Sequence, residues 1–365
     1  MAIAPVSAPL APPPSSKRKF AIPGVALLRS THGLQRGMLV LGLGIMALFA
    51  LVALFAPLIA PFEFDQTKVD GERFGTQVAP SAAHLLGTTV GGMDVFSRVI
   101  FGARTALEVV VLAVVLSIII GVPLGVFSGY VGGAVDRVLV LVTDALYAFP
   151  SLLLAIIVSI MVSGGNATAF GGILSAAISI TVIFIPQYFR VVRNATMAAK
   201  VEPYVDAARV AGARPGRIMF GHILANVSQT IPVLATLNAS ESILTLAGLG
   251  FLGFGIEPSS AAEWGYDLNK ALSDVSNGIW WTGVFPGLAI VLVVTGVALI
   301  GESLNDVLNP LLRTRGGATT ADEKELEEAI LGDAIGDRRP PLERDRATGG
   351  QPAPPPGGPE EGGGR

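Results

Sequence analysis

Long apolar stretches alternate with short polar segments along this chain. The first stretch runs from Gly37 to Pro61 without a charged residue, and five others of similar length follow. Spanning the hydrocarbon core of a bilayer takes about 20 apolar residues, and six such stretches are too many to be buried in one soluble core. The pattern therefore predicts an all-α polytopic membrane protein with six transmembrane helices, at 37–61, 106–126, 138–162, 171–189, 229–251 and 280–301.

Small residues and prolines within the spans predict where helices pack closely or bend. Gly121, Gly125 and Gly129 recur at every fourth position and share one face of the second span. This face indicates close packing of a neighbouring helix, or less favourably a moving interface, because small-xxx-small spacing is common in membrane helices. Pro186, near the end of the fourth span, predicts a kink or the end of that helix.

The Lys and Arg residues predict the orientation of the chain. With the N-terminus placed in the cytoplasm, fourteen of them fall on cytoplasmic segments and five on the opposite side. The positive-inside bias then places both termini in the cytoplasm. Arg98 and Arg104 are the exceptions, since they precede the second span on the side where basic residues are rare. Trp264, Trp280 and nearby aromatic residues indicate a membrane boundary there.

The composition separates a membrane body from two polar tails. Only 15% of residues are charged, against about a quarter in soluble domains. The net charge of −3 arises in the last segment, where 316–365 holds eleven acidic and six basic residues. We expect a cytoplasmic and partly disordered N-terminal tail at 1–36, a six-helix transmembrane domain at 37–315, and a disordered, Pro/Gly-rich acidic tail at 316–365.

The residue inventory gives little support to catalysis. The chain has no Cys and three scattered His, so no metal site is indicated, and we expect no catalytic residue, cofactor or nucleic acid partner. Gly248, Gly250 and Gly253 match the dinucleotide-binding pattern. That pattern functions only in a strand-to-helix turn, so here it predicts close helix packing or a bend at the end of a membrane span.

Two carboxylates within the spans are candidates for an intramembrane polar network. Asp144 lies in the third predicted span and Glu241 in the fifth, and no Lys or Arg lies within any predicted span. A charge at mid-bilayer depth is costly and has to face protein or water. One hypothesis is a proton or cation relay, whereas the other, which we favour, is an interhelical hydrogen bond.

The connection at 190–226 is the most informative polar segment. Pro203 suits the first turn of a helix, Glu202 complements the helix dipole, and Gly212 ends the run. The pattern predicts a short helix with a small-residue surface outside the membrane. Such a helix is either an idle surface element or a docking site for a cytoplasmic partner.

This segment resembles the EAA loop of ABC-importer permeases. The resemblance rests on Asp206-Ala-Ala-Arg-Val-Ala-Gly212 and continues to His222-Ile-Leu-Ala-Asn226. The signature at 85–104, together with Phe149-Pro-Ser-Leu and Glu263-Trp-Gly265, is similar to the dipeptide and oligopeptide permease family over roughly residues 35–313. The resemblance implies the MetI-like fold of type I importer permeases, in the inner membrane of a bacterial cell.

The resemblance also implies partners and a function. This subunit would import short peptides together with a second homologous permease, two ATP-binding cassette subunits that hydrolyse ATP, and an extracytoplasmic solute-binding protein. By carry-over from the family, the residues that contact the ATPase would be Asp206, Ala207, Ala208 and Gly212. Related systems that carry nickel chelates, glutathione, haem or oligosaccharides, and a self-contained proton-coupled transporter, are the alternatives.

The sequence departs from the family pattern at several positions. Asp206 stands where the family usually has Glu, and it keeps the negative charge. Thr89 and Met93 replace a usual Asp and Arg, so we expect a weaker charge network at the start of the second span. Ala225 replaces a usual Pro, and the resemblance offers no counterpart for the acidic tail.

Overall fold

The fold is an α-helical bundle, given by a computed structural model that describes residues 33–163 and 169–308. The acidic tail at 316–365 and most of the N-terminal tail at 1–36 lie outside the described residues. The helices are α1 Gly33–Leu54, α2 Ala56–Ile59, α3 Val95–Val131, α4 Gly133–Ala148, α5 Ser151–Ser163, α6 Ala169–Ala199, α7 Pro203–Val210, α8 Pro215–Arg217, α9 Leu224–Val227, α10 Ile231–Phe251, α11 Trp264–Ser276 and α12 Trp281–Leu308. A two-residue hairpin pairs strand β1 (Lys68–Val69) antiparallel to β2 (Glu72–Arg73).

Five helical segments of the described chain are long and apolar enough to cross a membrane, and a bent helix pair makes a sixth. Since the bent pair is α4 with α5, each of the six predicted spans corresponds to one of these segments. α3 and α6, with 37 and 31 residues, extend well beyond the predicted spans. Their polar ends therefore carry residues that the sequence pattern assigned to connections.

The third predicted span is broken rather than continuous. α4 and α5 meet at an angle of 99°. Phe149 adopts an extended conformation (φ −78°, ψ 141°) immediately before Pro150. Proline disfavours the helical conformation of the residue before it, which ends α4 at this point. A single continuous helix over 138–162 was therefore a wrong prediction, although the two halves together are long and apolar enough to cross a membrane.

The glycine face of α3 packs against α6, as predicted. A side-chain carbon at Gly121, Gly125 or Gly129 would collide with the backbone of α6, including the carbonyl oxygens of Phe189 and Arg193. This close contact holds α6 on both sides of Pro186, and the helix continues through the proline to Ala199. Of the two effects predicted for Pro186, a kink or the end of the helix, the end is therefore wrong.

The connection between the fourth and fifth spans is shorter than the sequence indicated. α6 extends to Ala199, and from Pro215 onward α8, a π-helical turn, α9 and a 3₁₀ turn lead continuously into α10. Only residues 200–214 remain as a connection, and α7 occupies most of it. Both flanking spans therefore present polar residues beside α7.

Two segments between spans, residues 60–94 and 252–280, form a loop layer at the end of the bundle where α3 begins. The layer contains the hairpin and α11. The hydropathy pattern did not reveal this helix because its polar and apolar residues lie on opposite faces, which lowers the average hydropathy of the segment. A turn with Gly253 in the left-handed region (φ 83°) ends α10, and a side-chain carbon at Gly250 would overlap the Glu263 carboxylate. The glycine pattern at 248–253 therefore serves helix packing and a bend, as predicted.

Candidate functional site

The predicted docking helix forms as α7. Pro203 occupies its first turn, and Glu202 before it is extended (φ −73°, ψ 144°). Asp206 lies in the first turn and Arg209 in the last, where each complements the helix dipole. Their side chains also form an ion pair of 2.8 Å, Arg209 Nη1 to Asp206 Oδ1. Sequence reasoning therefore located both ends of this helix.

Gly212 makes the turn that ends α7. It has φ of 78°, in the left-handed region that favours glycine. Its N–H donates to the Arg209 carbonyl at 2.9 Å, and the Ala213 N–H donates to the Ala208 carbonyl at 3.0 Å. This pair of hydrogen bonds is a Schellman motif, which satisfies the last carbonyls of the helix.

Contacts with the bundle fix the position of α7. Val205 is fully buried in the core and Ala208 packs against that core. Lys200 Nζ donates to the Gly129 carbonyl at 3.0 Å, beside the end of α3. The Arg209 guanidinium lies 5.9 Å from the centroid of the Tyr130 ring, a cation–π contact. A displacement of α7 would therefore move the ends of α3 and α6.

The opposite face of α7 is open. Tyr204, Asp206, Ala207 and Val210 are exposed, and Val210 is 91% exposed. A single exposed apolar side chain is ordinary on a protein surface, so the relevant observation is that the whole face is uncovered in this subunit. Ala208 faces the bundle instead, so the predicted contact residues divide between two faces.

A partly buried ion pair ties α3, α4 and α6 together beside α7. Arg193 on α6 donates to both carboxylate oxygens of Asp136 on α4, at 2.5 Å and 2.7 Å. Ser128 on α3 donates to the same carboxylate at 2.5 Å. A bidentate Arg–carboxylate contact is strong and directional, and it makes the helix ends next to α7 one rigid unit.

Asp144 forms an ion pair with Arg190. Arg190 Nη2 lies 2.9 Å from Asp144 Oδ1, and both side chains are about half exposed. The guanidinium also lies 4.5 Å from the centroid of the Tyr147 ring. The expectation that Asp144 would find no basic partner is wrong, because α6 continues past residue 189. The pairing favours an interhelical contact over a proton relay.

Glu241 lies near the middle of α10 and lines a cleft of about 230 Å³ with Gln187 and Tyr147. Asp144 and Arg190 line a second cleft of about 520 Å³, which Tyr147 also borders. The Asp144 and Glu241 carboxylates share no hydrogen bond in the described part of the chain. The two predicted residues are therefore brought to neighbouring clefts rather than into direct contact.

Arg98, one of the two exceptions to the positive-inside bias, is buried against the loop layer. It is 1% exposed, and its Nε donates to Asp267 Oδ1 on α11 at 2.8 Å. Its Nη1 donates to the Phe64 carbonyl at 3.0 Å. Arg104 likewise pairs with Glu108 at 3.0 Å. Each basic residue that conflicted with the positive-inside bias thus has a carboxylate partner.

A second group of polar side chains begins α3. Asp94 accepts from the Ser97 N–H and hydroxyl, both at 2.8 Å, and its other oxygen lies 2.9 Å from His84 Nδ1. Together with the Arg98–Asp267 pair, these contacts form a charge network at the start of this helix. Thr89 and Met93 add no charge to this network, which other residues build, and the expectation that it is weaker than in the family stays a prediction.

Glu263 begins α11. Its two carboxylate oxygens accept from the Gly265 and Tyr266 N–H groups, both at 2.7 Å. Burial raises the pKa of this carboxyl group to about 8, because the charged form loses its hydration, and the two N–H donors oppose the shift only in part.

Sequence reasoning missed Asp267 and the third carboxylate within a predicted span, Glu108, and it gave Glu263 no role beyond its place in the family motif. A signal existed for each of them. The unexplained Arg98 required a buried acid, and Glu263 directly precedes a helix start, where an acceptor is favoured. Glu108 stands four residues after Arg104, the spacing of a helical ion pair.

Within the described residues, five long apolar helices and the bent pair of α4 and α5, with the short helix α7 between two of them, define a multi-pass membrane protein. The family model for the binding-protein-dependent transport system inner membrane component matches residues 121–314, and the model for the N-terminal TM domain of oligopeptide transport permease C matches 34–80. The chain belongs to this family of inner membrane permeases.

Three similar proteins illustrate the relationship. The dipeptide transport system permease protein DppC of Alkalihalophilus pseudofirmus is 35% identical over 84% of this chain and 96% of its own length. DppC of Escherichia coli K12 is 40% identical over 75% of this chain and 89% of its length. The glutathione transport system permease protein GsiD of Pectobacterium atrosepticum is 35% identical over 75% of this chain and 86% of its own length.

Proposed function

We propose that this chain is the permease subunit of an ATP-driven importer of short peptides. The observation that carries the proposal is α7, a helix with an open contact face that is anchored to the ends of the spans. The substrate class rests on similar proteins named for dipeptide transport and for glutathione, itself a tripeptide. Glutathione is the second candidate substrate.

In the proposed complex, α7 docks onto a separate ATPase subunit. Asp206, Ala207 and Val210 on the open face would meet the ATPase, while Gly212 sets the turn that leads back to the membrane. Ala208 would take part from the other side, since it packs α7 against the bundle. Closure of two ATPase subunits would pull on α7, and the contacts of Lys200 and Arg209 would transmit that movement to α3.

The remaining partners and the topology follow from the same proposal. A second homologous permease would complete the pathway, and a solute-binding protein would deliver the peptide to the opposite side. With α7 in the cytoplasm, six crossings place both termini there and the loop layer outside. The permease domain would be 37–315, and the acidic tail at 316–365 a cytoplasmic extension.

The test is ATP-driven uptake by the complex purified with its native partners. We expect proteoliposomes that contain the complex and internal ATP, with the binding protein added outside, to accumulate a labelled dipeptide. The same vesicles with a proton gradient and no ATP should accumulate none. Uptake driven by the proton gradient alone would contradict the proposal, and accumulation of glutathione but not dipeptides would select the second substrate.

A further inference from the structure

Asp144, Arg190 and Glu241 are charged side chains of membrane-spanning helices that face away from the core of this subunit and line two neighbouring clefts. Asp144 and Arg190 are about half exposed, and Glu241 is exposed. Placing a charge against lipid at this depth costs several kcal/mol on the lower estimates, so such residues face protein or water. The surface that carries them is therefore not a lipid-facing surface.

The break between α4 and α5 occurs at the same surface. Phe149, at the break, and Tyr147, two residues before it, both line the cleft that contains Glu241. A helix break leaves backbone carbonyl and N–H groups without intrahelical partners, which the hydrocarbon core does not tolerate. Irregular backbone at membrane depth occurs where it is covered by protein or lines a water-filled cavity. The break and the charges independently indicate that this surface meets protein or water and not lipid.

The charges on this surface do not balance. Arg190 is neutralised by Asp144, and Arg193 by Asp136. Within the described residues, Glu241 has no basic partner and its carboxylate accepts no hydrogen bond, although it lines a cleft. A carboxylate without a positively charged partner, in a cleft within the membrane, attracts a cationic group.

We propose that Asp144, Tyr147, Gln187, Arg190 and Glu241 form a polar seam that lines the translocation pathway, and that Glu241 receives the ammonium end of the passing peptide. This inference rests on the proposed function and assigns the substrate contact within it. The Asp144–Arg190 pair keeps the neighbouring cleft neutral, so the ammonium group meets its counter-charge at Glu241. Tyr147, which borders both clefts, provides a continuous wall between them.

The first test changes the charge of Glu241 in the complete transporter. Loss of a charge-assisted hydrogen bond corresponds to roughly a tenfold effect or more. We expect Glu241→Gln to lower dipeptide uptake per ATP hydrolysed by about that factor, with ATPase activity retained. The matched control is Glu302→Gln, since Glu302 is an exposed carboxylate on α12 that lines neither cleft. Its uptake should equal that of the wild type.

The second test measures water access. The chain has no native Cys, so a single introduced thiol reports its own surroundings. In the assembled transporter, Gln187→Cys should react with a charged methanethiosulfonate reagent, and a transported dipeptide with ATP should slow that reaction. Val291→Cys, at an exposed apolar position on α12, should stay unreactive.

The outcomes separate this inference from the proposed function. Absence of ATP-driven uptake by the wild type would refute the importer itself. If the wild type takes up dipeptide normally, equal uptake by Glu241→Gln and Glu302→Gln would overturn the polar seam and leave the importer in place. An unreactive Gln187→Cys would do the same. Dissociation of the Glu241→Gln complex on size-exclusion chromatography would also overturn it, because Glu241 would then pair with the second permease.

Discussion

Arg98 and Asp267 are 169 residues apart in the sequence, and their buried side chains form an ion pair that joins the start of α3 to α11. The side chains are 1% and 6% exposed, so neither charge is hydrated if its partner is removed. This contact explains why a basic residue is retained at the end of a span where the charge bias opposes it.

Removal of one partner should destabilise the fold strongly. Asp267→Asn leaves the Arg98 charge buried without compensation, and we expect the free energy of unfolding to fall by about 3–5 kcal/mol. The control is Glu108→Gln, which breaks the exposed Arg104–Glu108 pair and should cost about 1 kcal/mol or less. Thermal unfolding in detergent compares them, and equal losses would show that the buried pair has no special role.

Stability should depend on pH through Glu263. Its folded pKa of about 8 lies above the unfolded value of 4.5, so the neutral form is favoured by folding. The stabilisation is complete below the unfolded pKa and is lost as pH rises through about 8, by roughly 1 kcal/mol per pH unit between the two values. Glu263→Gln should flatten the fall in melting temperature between pH 6 and pH 8. Glu257→Gln, at an exposed position nearby, should not.

The turn after α7 should require glycine. Gly212→Ala places a side chain at φ of 78°, which costs about 1–2 kcal/mol and shifts the end of the docking helix. We expect ATP-driven uptake to fall severalfold while the protein still inserts into the membrane. Gly216→Ala is the control, because Gly216 has an ordinary φ and open space around it. Undiminished uptake by Gly212→Ala would show that the turn geometry is dispensable.

The packing of α3 on α6 should tolerate no added carbon. In Gly125→Ala the new methyl group would lie 2.8 Å from the Phe189 carbonyl oxygen, so the helices have to separate. Overpacking of this kind costs about 1–3 kcal/mol. Gly44→Ala on α1, with nothing within 4 Å, should be neutral or stabilising. The comparison is made by thermal unfolding, and a neutral Gly125→Ala would contradict close packing.

Features with a local cause were predictable from the sequence. The spans follow from apolar length, α7 follows from Pro203 and Gly212 at its ends, and the glycine face follows from a four-residue spacing. The break at Pro150 also has a local signal, but the apolar run on both sides of it hid the bend. Hydropathy measures partition into lipid and is insensitive to the direction of the backbone.

The sequence by itself therefore determined that this is a multi-pass membrane protein with a short polar helix that begins at Pro203 and ends before Gly212, because bilayer thickness and helix capping act on neighbouring residues. Only the tertiary structure decided which charges meet: Arg98 with Asp267, Arg190 with Asp144, and Glu241 with no basic side chain in the described chain. The reason is physical. The free energy of a buried or intramembrane charge depends on the side chains that folding brings within a few ångströms, and sequence separation does not record that distance.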